Sequence, residues 1–200
     1  MKSKAAIGAL TLILGTSPFA VAQEREPAER GETAKESEPV NGQQQTVEIH
    51  SVSGDGKGKF LGIIRVENRV DGTLFQPQME GLPPGLHGFH IHENPNCTAS
   101  AEEGQGAIGK DMVPAGNAGG HLDPGIKGNH AGPYGDGHVG DLPNLFVRED
   151  GTAQHPVFAP RVKLMDVKSH ALVIHENPDN YTDDPENGGS GARIACGAVP

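Results

Sequence analysis

His90 and His92 stand two residues apart. In an extended strand, residues i and i+2 project from one face, so both imidazoles can reach a single ion while Phe89 and Ile91 turn to the core. By the same parity His87, if the strand extends that far, is a supporting residue rather than a ligand. Farther along, His121, His130, His138 and Asp141 occupy a stretch of glycine and proline with little else to hold its shape. Three imidazoles and one carboxylate match a closed tetrahedral zinc site, and an ion there would supply the rigidity that the loop composition lacks. His175 ends the apolar run Ala171-Leu172-Val173-Ile174, a strand that could lie beside the first pair. His170 has the opposite parity and reads as structural. His50 and His155 lack partners at useful spacing, which assigns them packing or surface roles.

Such residues need a frame that brings distant loops together. The chain has 29 glycines and 16 prolines but no Trp, two Tyr and six Phe in 200 residues, so its core rests on Val, Ile, Leu and Ala. Short strands joined by long, turn-rich loops fit this composition. Alternating or apolar runs predict strands at 47–52, 60–67, 74–79, 88–92, 144–147, 170–176 and 194–199. Pro77 within the third of these suggests an edge or a bulge. No segment sustains a helical period. Two irregular stretches, 93–140 and 177–192, carry most of the metal-binding residue types, and long loops in a domain of this size are usually functional. The fold class is all-β, a sandwich or barrel.

The first residues read as an export signal. Lys2 and Lys4 precede the short apolar run 5–14, and Ala20-Val21-Ala22 offers a small-x-small cleavage pattern. That run is well short of the roughly 20 residues that span a bilayer, and no membrane span is expected. Residues 1–22 are assigned to the signal peptide, 23–45 to a disordered polar tail with almost nothing apolar, and 46–200 to one folded domain. Removing 1–22 leaves 14 cationic against 26 acidic side chains, a net charge of -12. An acidic surface of this kind excludes nucleic acid as a partner. An exported chain with two cysteines, Cys97 and Cys196, reads most simply as carrying one disulfide.

Five stretches, GLHGFHIHENPNC (85–97), AGGHLDP (118–124), GHVGDLPNL (137–145), LVIHENPDN (172–180) and GARIACG (191–197), resemble the copper/zinc superoxide dismutase family. They are closest to its bacterial, exported, periplasmic branch and follow the family's order. The resemblance implies an eight-stranded Greek-key β-barrel with two long functional loops, a sandwich architecture of which this family is a standard example. It implies copper, one per subunit, at His90, His92, His121 and His175. It also implies zinc, one per subunit, at His121, His130, His138 and Asp141, with the His121 ring shared. Four imidazoles suit Cu(II) and a carboxylate in a tetrahedral set suits zinc, so the coordination chemistry agrees. Asp179 matches the carboxylate that accepts hydrogen bonds from His90 and His130, Arg193 matches the anion-binding arginine, and Cys97 and Cys196 match the family disulfide.

The implied activity is conversion of superoxide to dioxygen and hydrogen peroxide, protecting the cell envelope, with Arg193 and His121 as catalytic residues. Lys110 is a further candidate for steering the anion. The interval from His130 to His138 is one residue shorter than the family's, and the segment 183–190 carries added acidic residues. The implied partner is the small-molecule substrate, and the implied assembly a homodimer or a monomer. The alternative is a non-enzymatic copper-binding or copper-delivery protein on the same scaffold. A structural zinc protein would leave the His90–His92 pair and His175 without a role.

Overall fold

The computed structural model describes residues 44–101 and 112–199; Lys110, the expected signal peptide and the expected tail up to residue 43 lie outside the described residues. The chain begins with a meander of three long strands, β1 (Gln44–Ser53), β2 (Gly56–Arg69) and β3 (Gly72–Glu80). Short strands follow: β4 (Gly85–His87), β5 (Phe89–His92), β6 (Ser100–Ala101), β7 (Met112–Val113), β8 (Leu145–Val147), β9 (Thr152–Ala153) and β10 (Val157–Ala159). A single helical turn, α1 (Leu164–Val167), leads to β11 (Ala171–His175) and β12 (Arg193–Ala198). The main antiparallel sheet has eight strands in the order β10-β3-β2-β1-β12-β11-β5, with β9 also on β3. Pairing of β1 with β12, and of β11 with β5, makes the Greek-key crossovers. The all-β expectation holds.

Alternation in sequence becomes inside and outside in this curled sheet. Thr73, Phe75, Pro77 and Met79 of β3 are buried in strict alternation, as a period of two requires. In β2 the buried residues Leu61, Ile64 and Val66 break that period. The pairing of β1 with β2 shifts between Ile49 and His50, so the extra residue of a bulge resets the face. β3 is not an edge strand, but Pro77 falls in the gap where its second side passes from β10, paired up to Phe75, to β9, paired from Met79. Strands β9 and β10, two and three residues long, were not among the predicted runs.

Strand β11 is buried along its whole length because both of its faces are covered. Leu172 and Ile174 join the main core with Phe75, Phe89 and Ile91, and the Phe75 and Phe89 rings meet edge to face at 5.5 Å. Ala171 and Val173 pack outward with Cys196, Ala115 and Ala118 in a second, smaller cluster. That outer layer is made by the long loop after β5, tied down by the Cys97–Cys196 disulfide. Each large apolar side chain so buried contributes about 1.5–3 kcal/mol.

Candidate metal centre

Strand β5 is the last strand of the main sheet, and an edge strand offers unpaired backbone groups that a chain segment can cover. Here the glycine-rich loop covers it. Ile91 N–H donates to Gly140 O, Leu122 N–H to Ile91 O and Leu142 N–H to Phe89 O, at 2.9, 2.8 and 3.2 Å. These bonds set two isolated bridges, His90 opposite Asp141 and His92 opposite His121. The parity of β5 does the rest. Phe89 and Ile91 turn into the core, while His90 and His92 face outward beneath the loop. On the neighbouring strand His175 shares the outward face of Val173.

His90, His92, His121 and His175 form one group whose candidate ligand atoms all lie within 4.8 Å of one another; His90, His121, His130 and Asp141 form a second on the same criterion. His121 and His90 occur in both, and their ring nitrogens decide between them. Nε2–H of His90 donates to Asp179 Oδ2 at 2.7 Å, so only Nδ1 is free to bind an ion. His121 instead directs Nδ1 to Asp141 Oδ1 at 3.1 Å, and its ring stacks on His90 at 4.0 Å and stands edge-on to His92 at 4.9 Å. His138 lies outside both groups on that criterion, although its Nδ1 is 3.4 Å from Asp141 Oδ1. His130 Nδ1 is 3.1 Å from the same oxygen. Ligands about 2.0–2.1 Å from a tetrahedral ion stand about 3.3 Å from one another, so these separations are those of a shared ion.

Three further ring nitrogens are secured by hydrogen bonds. Nδ1–H of His92 donates to Gly119 O at 2.9 Å and Nδ1–H of His175 to Gly191 O at 3.0 Å. Their Nε2 atoms face each other at 3.4 Å. Nε2–H of His130 donates to Asp179 Oδ2 at 2.6 Å. Partners of this kind fix a ligand's tautomer and raise its basicity. By contrast Nδ1 of His90, His130 and His138 is buried without a hydrogen bond. Buried ring nitrogens with no hydrogen-bond partner fit a role as metal ligands.

Burial governs the protonation of these rings. It holds His90 and His92 well below the usual imidazole range, assisted by the neighbouring His121. It brings His175 down to about 4, against the bond to Gly191. His121 is lowered by burial and partly restored by Asp141. Burial would also lower His130, but the carboxylates of Asp141 and Asp179 beside it outweigh that and raise the ring to about 9. Asp141 would rise on burial, and the bond from His121 with the His130 ring close by holds it well below the carboxylate range instead. The first group is thus neutral and ready to ligate, and the second contains a fixed anion.

On the first group's open side lies a cleft of about 580 Å³ lined by His92, Glu93, His121, His175 and Arg193. Nη1 and Nη2 of Arg193 donate to Ala115 O and Gly119 O, both at 2.6 Å. The β11–β12 pairing puts Arg193 opposite His175, next to a register shift.

Other histidines fall outside. His87 is not on β5: at Gly88 the chain changes partners, and β4 pairs with β8 instead. Its ring nitrogens lie 2.8 Å from the carbonyls of His175 and Pro83. His170 lies 2.6 Å from Glu93 O, and His50 and His155 pack edge-on to Phe60 and Phe146. Sequence reasoning missed Asn144, whose side chain donates to Asp179 O and accepts from Asp179 N–H at 2.9 and 2.8 Å; the motif GHVGDLPNL contains it, but nothing in the motif names its partner. It also read Asp183 only as added charge, whereas Asp183 Oδ1 accepts the backbone N–H of His130 at 2.7 Å.

A Greek-key barrel whose edge strand and covering loop enclose two adjoining ligand sets, open to an arginine-lined cleft, defines a dinuclear metalloenzyme for a small anion. The sequence profile of copper/zinc superoxide dismutase (SODC) matches residues 61–199, and the chain belongs to this family. It is 48% identical over 157 residues to "Superoxide dismutase [Cu-Zn] 1" of Salmonella typhimurium, covering 77% of this chain and 85% of that relative. It superposes on the structure of Cu/Zn superoxide dismutase from Brucella abortus with a TM-score of 0.74 at 43% identity, covering 79% of this chain and all of that one. The monomeric copper, zinc superoxide dismutase from Salmonella enterica gives a TM-score of 0.69 at 44% identity, with 79% of this chain and 100% of that chain covered. The protein is an enzyme, a copper- and zinc-dependent dismutase that turns two superoxide anions and two protons into dioxygen and hydrogen peroxide. These likenesses favour catalysis over the copper-delivery alternative.

Proposed function

We propose that copper is held by His90, His92, His121 and His175, and zinc by His121, His130, His138 and Asp141, with His121 common to both. The observation that carries this is the convergence of Nδ1 of His121, His130 and His138 on Asp141 Oδ1, at 3.1, 3.1 and 3.4 Å. His121 therefore keeps Nε2 for the first group. When bound, copper supplies a one-electron couple that accepts an electron from one superoxide and returns it to the next, and zinc supplies a fixed positive charge beside the shared ring.

The chain's own residues do the rest. Arg193 presents a guanidinium to the incoming anion, and its two carbonyl bonds hold that group still. His121 would carry the proton, at Nε2, because a ring shared by the two sets would change protonation near neutral pH once both ions were bound. Asp179 keeps the proton of His90 and His130 on Nε2, leaving Nδ1 as donor. Every proposed ligand comes from one chain, so a single subunit is a complete catalytic unit.

The protein works outside the cytoplasm, in the periplasm, after removal of residues 1–22. The segment from residue 23 to 43 is a spacer ahead of the catalytic domain, whose first strand takes in Gln44 and Gln45, two residues earlier than the expected start at 46. The export pattern and a disulfide that needs an oxidising compartment support this reading. Among the described residues no helix is long and apolar enough to cross a membrane.

Copper, zinc and dismutase activity measured on one preparation, before and after chelation, test the ligand assignment. Removal of copper abolishes activity and its return restores it; in His138→Ala, zinc content falls first. Full zinc retention in that variant would refute the assignment. Mature protein from a periplasmic extract is expected to begin at Gln23.

A further inference from the structure

The loop from His130 to His138 is almost without apolar anchors. Between the two ligands stand Ala131, Gly132, Pro133, Tyr134, Gly135, Asp136 and Gly137, and Tyr134 is 75% exposed. Its path is tight: a Cβ at Gly137 would stand 2.5 Å from Asn129 O, and Gly132, at φ 67°, has Tyr181 packed against it. A short loop of this kind cannot position a ligand by its own packing.

Arg161, in the turn between β10 and α1, reaches it from outside. Its Nη2 donates to Gly137 O at 2.7 Å, and its Nη1 to Gly132 O at 3.2 Å and to His138 O at 3.3 Å. One half-buried guanidinium thus takes three carbonyls of the loop, including that of His138 itself. We propose that Arg161 is the positioning residue of the zinc site, a planar fork that draws the two ends of the glycine loop together and holds the His138 ring on the ion. The fork geometry matters here, because a lysine offers only a point charge on a flexible stem. Arg161 touches neither metal nor substrate. The proposal rests on the zinc ligands assigned above.

The test is zinc release from the fully metal-loaded protein to a chelator, for wild type, Arg161→Met, Arg161→Lys and His138→Ala. Each is followed also with cobalt in the zinc position, whose visible bands report tetrahedral geometry. Arg161→Met is expected to release zinc at least about tenfold faster, in the range seen when residues behind a ligand are removed, and to shift or weaken the cobalt bands. Arg161→Lys, which keeps the charge and the stem, is expected to fall between Arg161→Met and wild type, and it stands alone as the test should Arg161→Met not fold. Release within about twofold of wild type in the folded variants, with unchanged cobalt bands and with His138→Ala fast, overturns the role of Arg161 and leaves the ligand assignment standing. Wild-type release from His138→Ala sinks the ligand assignment, and this proposal with it.

Discussion

His90 and His130 rest their Nε2 atoms on one and the same carboxylate oxygen, Asp179 Oδ2, at 2.7 and 2.6 Å. On the proposed assignment one ring serves copper and the other zinc, so a single buried carboxylate would orient ligands of both ions. Asp179 is held in turn by the reciprocal bonds of Asn144. Asp179→Asn keeps the shape but loses the charge that fixes both tautomers. We expect affinity for copper and zinc to fall about 10–100-fold. Competition titration with a chelator measures it, and affinities within about twofold of wild type would refute the shared role.

Arg193, the proposed anion-binding residue, lines its cleft in a protein that is acidic overall. Local charge must therefore outweigh net charge at the cleft, and superoxide dismutase is itself the standing example of such steering. Arg193→Ala is expected to slow turnover at least about tenfold while both metals stay bound, because no ligand is touched. The dependence of the rate on salt is expected to weaken as well. An unchanged rate at low salt would show that Arg193 does not guide the substrate.

Acid stability of the metal-free protein follows from its buried rings. The folded chain holds His175 at about 4, against 6.5 for a free imidazole. The unfolded chain therefore binds the proton that the folded ring refuses, and stability falls as the pH drops from about 6.5 toward 4. His90 and His92 act in the same direction. His130, raised to about 9, acts oppositely: its contribution is complete below about 6.5 and is lost as the pH climbs through 9. Melting temperatures of metal-free protein should peak near neutrality and decline on both sides. A melting temperature that is flat or rising between about pH 7 and 4.5 contradicts this account.

The disulfide closes the chain between residues separated by 99 positions. A loop of that length is worth roughly 4–5 kcal/mol on the chain-entropy view. It also pins the loop that carries Gly119 and His121 to β12, three residues beyond Arg193. The double variant Cys97→Ser/Cys196→Ser should melt well below wild type and turn over more slowly, since Arg193 and the carbonyls of Ala115 and Gly119 would no longer keep register. Calorimetry with parallel rate measurement decides it; a wild-type rate in the folded variant would limit the bond to stability.

Much of the site was legible because strand parity is local. His90 and His92 had to share a face whatever the rest of the chain did, and Phe89 and Ile91 had to share the other. The apolar run ending at His175 and the glycine loop with its three histidines and one aspartate were visible for the same reason. Strands of two or three residues, such as β9 and β10, are too short to show a period, so the covering of β3 beyond Pro77 could not be foreseen. His87 has the supporting role that parity assigned it, although it stands on β4, which ends before Gly88, and not on β5.

By itself the sequence determined the ligand types, their order and an all-β frame, since these depend on side-chain chemistry and a two-residue repeat. Only the tertiary structure decided which nitrogen of each ring is free, because that is set by carbonyls and carboxylates far away in the chain: Gly119, Gly191 and Asp179. It likewise decided the roles of Asn144, Asp183 and Arg161. Their partners are backbone groups, and every residue carries the same backbone, so no pattern of residue types could have pointed to them.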